Sequence, residues 1–174
     1  MKNIIIKAAA LASVVIACGM TQNASAQASA TASASATIVT PITITKTVDM
    51  DFGNAAVQAS TGGTVVLAPA STRTVTSGVT LPAVTGTVAA ASFDIAGQAN
   101  YTYAITLPNN VNITDGGSNS MTVDNFTSSP SATGTLSATG TETLTVGATL
   151  NVGAGQAAGT YTSGSPFTVT VNYN

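Results

Sequence analysis

From Ala28 to Phe52 the apolar side chains fall at every second position, namely Ala28, Ala30, Ala32, Ala34, Ala36, Ile38, Ile42, Ile44, Val48, Met50 and Phe52, with Thr40 and Lys46 as the two interruptions. The odd positions between them are Ser, Thr or Asp, apart from Val39 and Pro41. A period of two is the signature of a β-strand covered on one face. Fully extended, the run would measure about 80 Å, whereas strands of globular domains hold roughly three to ten residues. One domain cannot cover it all. Pro41 cannot donate to a sheet ladder, so the pattern predicts a break there and a domain beginning near Ile38 to Ile42. Residues 27–37 are then an Ala/Ser/Thr-rich arm in phase with the strand that follows. A one-residue slip would turn every alanine to the opposite face, so the kept phase argues for an arm used as a strand, against the competing reading of an unordered spacer between signal peptide and domain.

Further strands are predicted over residues 64–68, 87–96, 101–107, 121–126, 141–152 and 167–173. Gly62-Gly63, Gly78, Gly97, Gly116-Gly117, Gly134, Gly153 to Gly159 and Gly164 punctuate them. Leu144, Val146, Ala148, Leu150 and Val152 alternate in one phase, and Phe167, Val169, Val171 and Tyr173 in another. Many short strands between Gly, Asn and Ser turns predict an all-β fold: an immunoglobulin-like antiparallel β-sandwich of about seven to nine strands over residues 38–174, with an N-terminal extended arm. An outer-membrane barrel would carry two girdles of aromatic residues, and four Tyr and four Phe scattered along the chain do not make them.

Ahead of the arm, Lys2 and Lys7 precede an apolar run from Ala8 to about Met20 and then Ala24-Ser25-Ala26, which reads as a secretory signal peptide over residues 1–26. A competing reading takes Val15-Ile16-Ala17-Cys18 as a lipoprotein signal that would leave Cys18 lipid-anchored. Cleavage after Ala26 leaves 148 residues (174 less the first 26) without cysteine, histidine, tryptophan or a transmembrane segment. Such a domain holds itself together by burial alone. Lys46 and Arg73 face six carboxylates, so the mature chain offers no basic surface to nucleic acid.

Catalysis is poorly supplied, since the mature chain has no His or Cys and no Ser in a Gly-x-Ser-x-Gly elbow. The expectation is a protein that is not an enzyme, with no catalytic, cofactor-binding or metal site assigned. Asp49 and Asp51 share one strand face and could help to ligate calcium with Asp115 or Asp124, although no calcium loop surrounds them. Tyr101 and Tyr103 could stack on a sugar or pack in the core. Thr43, Thr45 and Thr47 form an exposed threonine row, and Asn100, Asn112 and Asn125 begin Asn-x-Thr sequons. The stem of Lys46 is expected along apolar surface, with its amine in water.

The stretches VDMDFGNAAV (residues 48–57), GGTVVLAP (62–69), SFDIAGQANYTYAITLP (92–108) and AGTYTSGSPFTVTVNYN (158–174) resemble a bacterial secreted family, domain of unknown function 4402. Asp51-Phe52-Gly53 and Gly159-Thr160-Tyr161, ahead of the alternating ending, also resemble spore coat protein U-like subunits of chaperone–usher pili. That second resemblance implies an immunoglobulin-like sandwich completed by a strand from another molecule, and a β-edge at Phe167, Val169, Val171 and Tyr173 where a periplasmic chaperone pairs. The sequence departs from it in lacking a cysteine pair and in carrying Ala where many donor strands carry bulkier groups. The resulting expectation is an exported surface subunit self-associating into fibres through a periplasmic chaperone and an outer-membrane usher, with Ala28, Ala30, Ala32, Ala34, Ala36 and Ile38 as donor strand. The alternative is a monomeric secreted or lipid-anchored module that binds glycan or calcium.

Overall fold

In a computed structural model, residues 27–174 are described. The signal peptide expected over residues 1–26, and with it Cys18, lies outside the described residues. Residues 27–37 carry no regular secondary structure and their side chains are exposed. Residues 38–174 form a separate compact unit.

That unit is all β. Among the described residues there are thirteen strands: β1 (Thr43–Val48), β2 (Ala56–Val57), β3 (Gly63–Leu67), β4 (Arg73–Val75), β5 (Val79–Thr80), β6 (Ala91–Ala96), β7 (Thr102–Thr106), β8 (Asn110–Thr114), β9 (Ser120–Ser129), β10 (Thr133–Thr135), β11 (Thr141–Val152), β12 (Thr162–Ser163) and β13 (Thr170–Tyr173). Eight of these hold four or more residues and carry the architecture; the other five hold two or three residues each, and β2 and β5 pair with one another as a separate ribbon. Every pairing is antiparallel.

The large sheet runs β1–β6–β11–β9–β8–β12, and a three-stranded sheet runs β10–β7–β13. An immunoglobulin sandwich places strands A, B, E and D in one sheet and C, F and G in the other. Taken in chain order, β1, β6, β11 and β9 correspond to A, B, E and D, and β7 and β13 to C and F. β3 pairs with the same edge of β11 as β6, past the end of β6, and β4 pairs with β3.

The alternation in β11 explains its central place. Leu144 and Val146 enter one core cluster with Phe93, Ile95, Tyr103, Leu136, Val169 and Val171. Ala148 and Leu150 enter a second with Val65, Val79 and Val123. On one edge of β11, residues 141–146 pair with β6 and residues 148–152 with β3. Gly147 stands at the handover, where a Cβ would come within 2.1 Å of the Leu67 carbonyl oxygen. On the opposite edge the register with β9 shifts by one residue between Gly147 and Thr149, and Asn125 there takes a left-handed φ of 48°. Asparagine tolerates that conformation better than most residues.

The rhythm from Ala28 to Phe52 does not form one strand. β1 begins at Thr43, and its pairing with β6 slips between Lys46 and Val48. The slip takes Val48 out of the covered face and leaves it 43% exposed. Lys46 is exposed and its Nζ pairs with Asp49 Oδ1 at 2.6 Å. Cover resumes at Met50 and Phe52, held by an isolated bridge between Asp51 and Ala89. Arg73 fixes the following turn by donating to the carbonyls of Phe52 and Asn54.

Candidate strand-acceptor edge

β13 lies at the border of the smaller sheet. One edge pairs with β7 in the register Thr170↔Thr106, Val171↔Ile105, Asn172↔Ala104 and Tyr173↔Tyr103. Among the described residues no strand pairs its other edge. The strand's alternation sends Val169 (8% exposed) and Val171 (7%) into the core, with Phe167 and Tyr173 half-buried at either end. Thr168, Thr170 and Asn172 point outward. The predicted acceptor residues Phe167, Val169, Val171 and Tyr173 therefore share one inward face, while the backbone edge beside them is free of strand pairing among the described residues.

The two ends of this edge differ. At the Tyr173 end, the phenol accepts from Gln98 N (2.6 Å) and donates to the Thr40 carbonyl (2.8 Å), while Thr40 N donates to Gln98 Oε1 (3.3 Å). The Tyr101 ring meets Tyr173 edge-on at 5.6 Å. Gly97 makes the closure possible, since a Cβ there would lie 2.2 Å from the Tyr173 hydroxyl. At the Phe167 end, the ring of Phe167 lies 5.1 Å from that of Phe126. On the side of β13 that pairs with β7, between the turn after β7 and the segment leading into β13, opens a cleft of about 460 Å³, lined by Leu107, Pro108, Val111, Pro166 and Phe167 among others.

Behind the edge, Tyr103 of β7 is fully buried and its hydroxyl donates to Glu142 Oε2 at 2.8 Å. Burial, then the hydrogen bond to Glu142 and its negative charge, push the Tyr103 phenol well above its ordinary pKa. Gly134 of β10 gives the ring room, because a Cβ there would come within 2.3 Å of it. Tyr103→Phe is expected to cost about 2 kcal/mol in urea unfolding at neutral pH, since the carboxylate loses a donor. A raised phenol pKa contributes stability below the ordinary tyrosine value of 10.0 that is lost as pH rises through the folded-state value. The native protein should therefore lose stability above about pH 10 more steeply than the Phe variant does.

The donor residues Ala28, Ala30, Ala32, Ala34 and Ala36 lie outside any strand and are exposed, and Ile38 is 96% exposed. The other candidates are committed locally. Asp49 holds Lys46, Asp51 Oδ1 accepts from Gly53 N (2.7 Å), and Asp124 Oδ1 accepts from the Asn125 side chain (3.0 Å). Asp115 accepts from Asn119 Nδ2 (2.6 Å) and from Gly117 N (2.8 Å), and these bonds lower its pKa. Among the described residues no group of three or more acidic, His or Cys side chains gathers as a metal site would require. Tyr103 is core and Tyr101 packs on Tyr173, so the two do not present a joint stacking surface. Thr43 and Thr47 donate their hydroxyls to the carbonyls of Ala96 and Ser92 on β6. Asn100 and Asn125 occupy positive-φ positions, where asparagine is favoured for backbone reasons.

Sequence reading missed the Tyr173–Thr40–Gln98 closure and the Tyr103–Glu142 pair. Each joins residues far apart in the chain, and only Gly97 and Gly134, taken as turn markers, signalled a close approach there. Among curated proteins and among solved structures nothing matches the chain. Residues 42–173, which contain every strand from β1 to β13, match the family described as Domain of unknown function (DUF4402), and the chain belongs to that family.

Proposed function

We propose that the protein is a non-enzymatic, exported structural subunit that assembles into surface fibres by strand donation. In this reading residues 28–38 of one copy pair with the outer edge of β13 in the next. The observation that carries the reading is the position of β13: it stands where strand F of an immunoglobulin sandwich stands, and the place of strand G beside it is taken by no strand among the described residues. An open edge offers a row of unpaired backbone donors and acceptors, to which an extended peptide adds through main-chain hydrogen bonds. The alternating arm supplies such a peptide. Donation from copy to copy is a heterologous contact, which propagates as a filament when it does not close. The weaker likeness to spore coat protein U-like pilus subunits agrees with this mode of assembly, and a periplasmic chaperone would protect the same edge before assembly.

The test compares the full chain with a variant lacking residues 27–37, each exported by the producing cell and fractionated by size. The full chain is expected to run as a series of high-mass species and the deletion as a monomer with an unchanged β-sheet circular dichroism spectrum. A full chain that stays monomeric, or a deletion that assembles equally well, would overturn the proposal.

A further inference from the structure

Resting on that reading, we infer that the bulge in β1 and the charge of Lys46 keep a second sheet edge from accepting a strand, and so confine strand addition to β13. β1 borders the large sheet as β13 borders the small one, and among the described residues β6 is its only partner. Of the strands that border a sheet it is the longest: β1 holds six residues, whereas β4, β10 and β12 hold three, three and two. Five of its six residues are exposed. Borders of two or three residues offer an incoming peptide little to pair with, so β1 is where an unwanted strand would add.

Two devices stand on this edge. The pairing of β1 with β6 runs Thr45↔Asp94, Lys46↔Phe93 and then Val48↔Ser92, so Thr47 is an extra residue. Its hydroxyl donates to the Ser92 carbonyl at 3.0 Å. A bulge bends its strand and increases the local twist, so a strand laid along the free side would meet the backbone groups of β1 out of step. The second device is charge. Lys46 stands opposite the buried Phe93 and so falls in the phase of the covered face, two residues after Ile44. Its ammonium is held by Asp49, itself exposed. An apolar side chain on a peptide added there would meet this ion pair and strip part of its hydration, which is unfavourable. Lys46 is one of two cations among the described residues, and the other, Arg73, is held by the carbonyls of Phe52 and Asn54.

β13 carries neither device. Its pairing with β7 is continuous from Thr170 to Tyr173, and residues 167–174 include no charged side chain and no proline. The arm over residues 28–38 is also without charged side chains, so it matches the edge of β13 and offers Lys46 and Asp49 nothing to pair with. Each copy then has one arm to give and one edge to receive an arm, which produces an unbranched filament. A second receiving edge on β1 would let one copy take two arms, or let two copies join edge to edge, and the assembly would branch.

The test places a cysteine on β1 of the full chain. Thr45 is exposed at mid-strand, and in a two-fold antiparallel pairing of two β1 edges it would face its counterpart. Three chains carrying Thr45→Cys are compared: one otherwise native, one with Lys46→Thr and Asp49→Thr, which leaves the net charge unchanged, and one that in addition lacks Thr47. The deletion removes the extra residue and leaves the other pairs of β1 with β6 as they stand. After mild oxidation the first chain is expected to give no disulfide-linked dimer on non-reducing gels. The third is expected to give a dimer that grows with protein concentration while its β-sheet circular dichroism spectrum is unchanged, and the second a smaller amount. Equal linkage of the first and third chains, or no linkage of a folded third chain, would overturn the inference. Should the deletion cost the fold, the second chain decides, and linkage no greater than that of the first would overturn the role given to Lys46. The readout does not depend on the arm: chains that formed no fibres would overturn strand donation at β13, while linkage at Thr45 would still report whether the edge of β1 is guarded.

Discussion

Gly147→Ala is expected to destabilise the domain by at least ~3 kcal/mol, read as a fall in the urea midpoint. The added methyl would sit 2.1 Å from the Leu67 carbonyl oxygen and 2.7 Å from the Ala68 carbonyl carbon, both backbone atoms. Backbone can move aside only if β3 leaves its pairing with β11. Because β6 and β3 meet β11 on either side of this residue, the displacement would loosen both halves of the large sheet at once. Gly164→Ala serves as the control: nothing lies within 4 Å of its added methyl, so it should fall within about 0.5 kcal/mol of the native chain. Equal behaviour of the two variants would mean that the handover at Gly147 is not as described.

Val171→Asp should be at least as damaging, at about 4 kcal/mol or more at neutral pH, comparable with most of the stability of an ordinary domain. Val171 is packed into the cluster of Leu144, Val146 and Phe93, and the two cations among the described residues are engaged elsewhere, Lys46 with Asp49 and Arg73 with the carbonyls of Phe52 and Asn54. Desolvation would raise the folded-state pKa of the new group, so stability would be greatest at acid pH and would fall as pH rises through that value. Asn172→Asp, one residue on and exposed, is expected to be nearly neutral. The pair measures which face of β13 is inward. A mild Val171→Asp beside a severe Asn172→Asp would reverse the register on which the proposed strand pairing depends.

Where burial alone decides structure, the sequence carried the answer. β11 spans residues 141–152 as its alternation predicts, because each of its even positions from 144 to 150 enters a core cluster. β3, β6 and β7 fall within a few residues of their predicted bounds for the same reason. The ending predicted as a strand over residues 167–173 pairs only from Thr170, since its partner β7 stops at Thr106 and turns away at Leu107-Pro108. β8 was hidden because Asn110-Val-Asn-Ile-Thr looks like turn sequence, although its Val111 and Ile113 pack against the second core cluster. β4, β10 and β12 are shorter than two periods of alternation, too short for any pattern to show. At the candidate edge, the inward set Phe167, Val169, Val171 and Tyr173 was legible from spacing. The cleft and the closure at Thr40 were not, because they depend on which turns the topology brings to each end.

That closure also sets the order in which the domain can fold. Tyr173 and Thr40 are separated by 133 positions, and Val169 and Val171 reach the core only when β13 docks on β7. A growing polypeptide would have displayed Ile42, Ile44, Phe93 and Leu144 long before these final contributions arrive. Contacts this distant in sequence slow folding, because the entropy of a long loop must be spent before they reward it. Until its closing segment has been made, the growing polypeptide lacks the residues that complete this core, and the inward faces of the strands already made go without that cover.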